Sequence, residues 1–141
     1  MNKDKLIELY KKYGLTKNDV FKHQHYVIIT RQGIDKIQAV EQMSVTYEVI
    51  RCETNFAVFK AYAEKEGKKI ETFGSALKGE GYKDGNTNSW YVAEMAEKRA
   101  MSRAVLKLTG FYELGVFGED ESEDFKKTNK IDKEKLINLN K

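Results

Sequence analysis

Asn55-Phe56-Ala57-Val58-Phe59-Lys60-Ala61-Tyr62-Ala63 decides how this chain folds. Its apolar residues fill both alternating sets, with Phe56, Val58 and Tyr62 on one side and Ala57, Phe59 and Ala61 on the other. A period of two marks a strand, and apolar residues on both sides mark a central strand covered on both faces. Upstream, Ser44–Glu53 alternates through Val45, Tyr47 and Val49, then shifts to Ile50 and Cys52, as a β-bulge would require. Downstream, Lys65-Glu66-Gly67-Lys68 supplies a hairpin turn and Lys69–Leu77 returns as a third strand. These three segments read as an antiparallel meander.

A loop rich in glycine and asparagine, Lys78 to Ser89, follows the meander. A long helix then runs from about Ser89 to Thr109, capped by Asn88 or Ser89 and stopped by Gly110. In front of the meander, Leu6, Ile7, Leu9, Tyr10 and Tyr13 recur at helical spacing, with Gly14 as the stop. Thr16 and Asp19 suit a capped turn, Tyr26–Thr30 reads as a strand, and Ile34, Ile37, Val40 and Glu41 as a short helix after Gly33. The expectation is an α+β fold: a three-stranded antiparallel β-meander packed on a long C-terminal helix, with N-terminal helical elements and an additional strand. Residues 1–117 form one domain in this reading, and residues 118–141 form a charged, flexible tail.

The 141 residues suit a single domain, and 40% hydrophobic against 33% charged residues excludes wholesale disorder. No apolar run approaches the roughly 20 residues that span a bilayer, and the start lacks a signal-peptide core. One cysteine, Cys52, excludes an intramolecular disulfide framework and reads as a buried structural thiol in a reducing, cytoplasmic setting. A net charge of +3 hides three blocks: +4 over residues 1–117, −5 over 118–125, and +4 over 126–141.

The body's cations concentrate on the long helix. Lys98, Arg99, Arg103 and Lys107 occur with no acid between Lys98 and Lys107. At 100° per residue, Arg99, Arg103 and Lys107 fall within an 80° arc. Ala93, Ala96, Ala100 and Ala104 lie beside that stripe, while Met101 and Val105, and Tyr91, Met95 and Leu106, make further apolar faces. A helix so extensively apolar needs a second contact surface besides the sheet, and a neighbouring subunit would supply one. The loop before it adds Lys78, Tyr82 and Lys83, with Trp90 and Tyr91 at the helix start. Cations spaced along a groove neutralise phosphates, and aromatic faces stack on unpaired bases. The same cations also favour the negative end of the helix dipole, and Trp90 reads as a core anchor.

Ala96-Glu97-Lys98-Arg99-Ala100-Met101-Ser102-Arg103-Ala104-Val105-Leu106-Lys107-Leu108-Thr109-Gly110, followed by Leu114-Gly115, resembles the signature helix of single-strand annealing proteins. These are the Rad-fifty-two-type recombination proteins and their phage relatives, in which a β-meander leads into an alanine-rich basic helix. The resemblance covers roughly residues 43–117 and is specific over about 96–115. It implies ATP-independent binding of single-stranded DNA in an oligomeric ring and annealing of complementary strands, without a cofactor or a catalytic residue. Anchored on Gly110, the family's DNA-contacting cations fall on Arg103 and Lys107. Anchored on the Lys-Arg-Ala triplet, they fall on Lys98 and Arg99. The family's Thr-Asp pair before that triplet is missing here.

Other chemistries find little support. Gly74 to Gly79 has the glycine spacing of a P-loop, but Glu80 stands where the phosphate-binding lysine belongs. His23 and His25 have no cysteine or carboxylate cluster to complete a metal set. Glu66 and Lys68, with Glu53 or Glu48, mimic the acid–acid–lysine group of a Mg²⁺-dependent nuclease, although a turn glycine separates them. A further alternative is an oligomeric interaction module in which the basic helix is a subunit interface. The acidic segment Glu119–Asp124 reads as a solubilising tail, a competitor for the basic groove, or a dock for replication or recombination proteins.

Overall fold

The computed structural model describes residues 2–23, 26–80 and 84–120. It is an α+β fold in which one long helix separates a meander from a smaller N-terminal layer. Helix α1 (Asn2–Tyr13) leads into strands β1 (Val20–His23) and β2 (Tyr26–Ile29), then helix α2 (Arg31–Glu41). Strands β3 (Ser44–Cys52), β4 (Phe56–Lys65) and β5 (Lys68–Leu77) follow, then helix α3 (Val92–Leu108) and strand β6 (Val116–Gly118). The order in the larger sheet is β3-β4-β5, antiparallel throughout.

The turn between β4 and β5 is set by its two central residues. Glu66 and Gly67 both have positive φ, 49° and 83°, the combination that matches the twist of a two-residue hairpin. Lys65 and Lys68 pair across it, and the register then runs without interruption to Phe56 opposite Leu77. The expected bulge lies between Val49 and Arg51.

α3 packs on one face of β4 and β5 through small residues. Ala96, Ala100 and Ala104 meet Ala57, Ala61, Ala63 and Ala76, all buried. At Gly74 the helix backbone itself is the neighbour, since an added Cβ would lie 2.2 Å from the Ala96 carbonyl oxygen. Two residues away, Thr72 Oγ1 donates to the Ala100 carbonyl at 2.6 Å. On its other side α3 contributes Met101, Val105 and Leu106 to a core with Tyr13, Ile29, Ile34, Ile37, Phe111 and Val116. The second surface expected of a neighbouring subunit is therefore the chain's own N-terminal layer. The sequence could not assign it, because it rests on a parallel pair between β2 and the three-residue β6.

Four other expectations change. β4 is central but covered on one face only; Phe56, Val58, Lys60 and Tyr62 line the opposite face, half-buried. Cys52 is exposed rather than buried, because β3 ends the sheet. α3 begins at Val92, after Ser89 Oγ has accepted the Tyr91 N–H, so the start predicted near Ser89 is a turn. Ordered structure also passes the expected boundary at Phe117, since Gly118 belongs to β6.

A carboxylate joins the two layers. Glu41, at the end of α2, accepts from the Tyr13 hydroxyl and pairs with Lys12 at 3.2 Å and Lys65 at 2.6 Å. Burial alone would raise its pKa, but Lys65, Tyr13 and Lys12 outweigh that and hold it at about 2. In the loop before β1, Thr16 donates its N–H and hydroxyl to the Asp19 carboxylate, which also takes the Lys36 ammonium at 2.7 Å.

Candidate nucleic-acid interface

Residues of β5 alternate between bonding to β4 and facing outward. Phe73, Ser75 and Leu77 face outward, and each of their carbonyls is occupied. Arg103 Nη1 donates to the Phe73 carbonyl at 2.9 Å and Arg99 Nη1 to the Ser75 carbonyl at 2.8 Å. The N–H groups of Asn86 and Thr87 donate to the Leu77 carbonyl, and Asn86 Oδ1 accepts the Leu77 N–H. Helix side chains and a loop thus stand where a fourth strand would lie.

Arg99 is the clearest departure from the sequence reading. It is 3% exposed, and Nε and Nη2 donate to the carbonyls of Asp120 and Asn86 at 3.2 and 3.1 Å. A guanidinium holding three carbonyls is a clamp between β5, the loop before α3 and the segment after β6. It is not presented to a phosphate. The 80° arc from Arg99 to Lys107 is real, but its first two residues curl around the edge of β5. Periodicity places a side chain on a face; it does not reveal that outward carbonyls await it there.

Lys98 is exposed on the opposite side of α3 from Lys107, because nine residues of helix turn the chain by half a revolution. The two cannot line one channel. Lys107 instead faces the β4–β5 hairpin across an open groove of about 550 Å³, lined by Lys68, Lys69, Ile70, Lys107, Leu108, Thr109, Gly110 and Glu113. Lys68 and Lys107 share the α3 side of the sheet there with Glu113, while strand alternation turns the Lys69 side chain to the opposite face, beside Glu71. The Lys107 ammonium also lies 5.2 Å from the centre of the Tyr112 ring. In sequence, Lys68 reads as a turn residue and nuclease-like lysine and Lys69 as the start of a strand, and neither is joined to Lys107. Only the strand register brings them beside the end of α3.

At the other end of β5, the Lys78 ammonium stacks 4.2 Å over Trp90. Trp90 is 63% exposed and Tyr91 72%, so neither is the core anchor or buried helix face predicted. Phe73, midway along, is also exposed. The ten residues of β5 separate these ends by roughly 33 Å. The outer edge of β5 is therefore a track with lysines at both ends, Arg103 between them, and aromatic faces beside it. Tyr82 and Lys83 lie outside the described residues.

The acidic segment begins elsewhere. Glu119 accepts the Arg31 N–H at the start of α2, and Asp120 accepts the Ser102 hydroxyl at 3.1 Å and lies 3.7 Å from Arg31 Nη1. These two acids sit against α2 and α3 rather than over the lysine groove; residues 121–141 lie outside the described residues. The nuclease constellation is not assembled. Glu66 is at the hairpin tip, Glu48 accepts the Tyr62 hydroxyl, and Glu53, paired with Arg51, lies near the far end of the sheet. Among the described residues, no group of three His, Cys, Asp or Glu side chains is placed to hold a metal, and no helix is long and apolar enough to cross a membrane. Comparison with protein-family models, curated proteins and solved structures finds no match.

Proposed function

We propose that this chain binds single-stranded DNA along the outer edge of β5 and promotes annealing of complementary strands without ATP. The lysine groove carries the reading: Lys68 from a hairpin and Lys107 from a helix end line one opening, and Lys69 adds a third cation at its rim. Phosphates occupy that groove and continue past Arg103 toward Lys78, where Trp90 and Tyr91 stack on bases. Contacts of this kind neutralise the backbone without reading base edges, so sequence preference is low and bases stay available for pairing. The resemblance of residues 96–115 to single-strand annealing proteins supports the same class and an oligomeric assembly. An exposed, unpaired Cys52 suits a reducing, cytoplasmic setting.

The test is fluorescence anisotropy of a labelled oligonucleotide, single- and double-stranded, at 50 and 200 mM salt. Single-strand binding should weaken steeply with salt, and Lys107→Glu combined with Lys68→Glu should weaken it at least tenfold with an unchanged melting temperature. Every phosphate that the variant no longer neutralises should flatten the log–log salt slope by about 0.7. Salt-independent binding, or full affinity in the double variant, would sink the assignment. Mg²⁺-dependent shortening of the labelled strand would favour the nuclease alternative.

A further inference from the structure

β3 is an edge strand of its sheet among the described residues. All its residues are exposed except the half-buried Val45, and among the described residues nothing pairs with its outer edge. The direction of each of its backbone groups follows from the register. Because Phe73, Ser75 and Leu77 face away from β4, Thr72, Gly74 and Ala76 bond to Ala61, Phe59 and Ala57. Tyr62, Lys60 and Phe56 must then turn toward β3, where they meet Thr46, Glu48 and Glu53; the Glu53 N–H donates to the Phe56 carbonyl at 2.7 Å. Val45, Tyr47 and Val49 are left with N–H and C=O pointing outward.

We infer that β3 pairs antiparallel with β3 of a second copy of this chain, about a two-fold axis at Tyr47. In that register Val45 meets Val49 of the second copy, Tyr47 meets its own counterpart, and each pair exchanges both hydrogen bonds. Thr46 falls opposite Glu48 of the second copy, a hydroxyl beside a carboxylate, and no like charges face each other. Moving the axis one residue to Glu48 sets two carboxylates face to face and presents amides already committed to β4. Moving it to Val49 drives the bulge into the pairing. The side chains of Val45, Tyr47 and Val49 lie on the α3 side of the sheet, but α3 sits over β4 and β5, leaving Tyr47 38% and Val49 56% exposed. Two copies bring these apolar rows together.

Pairing β3 with β5 of a further copy would propagate the sheet, but Arg103, Arg99 and the Asn86 loop hold the outward carbonyls of Phe73, Ser75 and Leu77, half the length of β5. Sheet extension through that half of β5 is therefore blocked, which favours closure at two chains. The two β5 edges lie about 24 Å apart, at a strand spacing of about 4.8 Å, and run in opposite directions. The dimer does not depend on the nucleic-acid reading.

The full chain should show twice its monomer mass by light scattering. Val49→Pro removes an outward N–H while sparing the bonds to β4, and should raise the dimer dissociation constant at least tenfold with unchanged circular dichroism. In a Cys52→Ser background, Tyr47→Cys should cross-link to its counterpart on mild oxidation, since such a pair is separated by about 5.5 Å between Cα atoms. Ser44→Cys, six residues from its own counterpart, should not. A monomer at all concentrations, an oligomer whose mass Val49→Pro leaves unchanged, or equal cross-linking at both positions would overturn the inference. The cross-link keeps the test decisive if Val49→Pro misfolds.

Discussion

The two edges of the β3-β4-β5 sheet face the same hazard and meet it differently. Each is a strand of nine or ten residues with alternating outward amides, a template for any passing chain. On β5, Arg99 and Arg103 from α3 and Asn86 from the preceding loop occupy those groups. On β3, among the described residues, Glu48, Arg51 and the bulge after Val49 interrupt the edge. One edge is held along half its length by the chain's own side chains, and the other has no partner among the described residues. The difference shows that this fold uses cations structurally where the sheet is closed, which is why a basic helix is not by itself a basic surface.

Arg99 should be the most sensitive residue in this comparison. Truncating it to alanine removes the donors to three carbonyls at once, those of Ser75, Asn86 and Asp120, leaving, among the described residues, only the Ser75 carbonyl with a second donor, Asn86 Nδ2. The expected loss is about 3 kcal/mol or more, lowering the melting temperature by roughly 10 °C in thermal denaturation. Arg99→Lys should not rescue it, because one ammonium cannot span three acceptors that a planar guanidinium reaches. Recovery of wild-type stability in Arg99→Lys would show that charge matters there rather than the clamp.

Glu41 offers a control remote from both edges. It ties α1, α2 and the hairpin residue Lys65 together, so Glu41→Gln should cost stability without altering the β3 contact. Its folded pKa is depressed from the ordinary value of 4.5 to about 2. The stabilisation is therefore complete above pH 4.5 and is lost as the pH falls through 2. The shift corresponds to about 3 kcal/mol at neutral pH. Chemical denaturation at pH 7 and pH 3 should show wild type converging on Glu41→Gln at the lower pH. A constant gap would mean that Glu41 acts through shape rather than charge.

The meander was legible because strand periodicity, the turn residues and the bulge all reside in local sequence, from Val45 to Leu77. α3 was legible for the same reason, from its alanine row and Gly110. What stayed hidden depends on residues far apart in the chain. The carbonyls that claim Arg99 come from residues 75, 86 and 120, and the lysines beside Lys107 come from a hairpin some 38 residues earlier. Strand β1 and the three-residue β6 were missed because neither carries enough alternation to announce itself. The basic stripe was legible as a face of α3, but not that Arg99 and Arg103 on it donate to carbonyls, since helical phase gives direction and not occupancy.

The smallest expected effect is at the far end of the track. Trp90 is exposed and held by the Lys78 ammonium rather than by the core. Trp90→Ala should therefore leave the melting temperature within about 2 °C, as befits a surface change of under about 0.5 kcal/mol. If bases stack there, the same variant should weaken single-strand binding by about 1–3 kcal/mol while leaving the salt slope intact, because every phosphate keeps its cation. Lys78→Ala should do the reverse, flattening the slope with a smaller loss of affinity at high salt. Titrating both variants across salt thus separates stacking from charge at one end of β5. Equal slopes and affinities in both would confine the interface to the lysine groove, and a collapse of stability in Trp90→Ala would return that residue to the core.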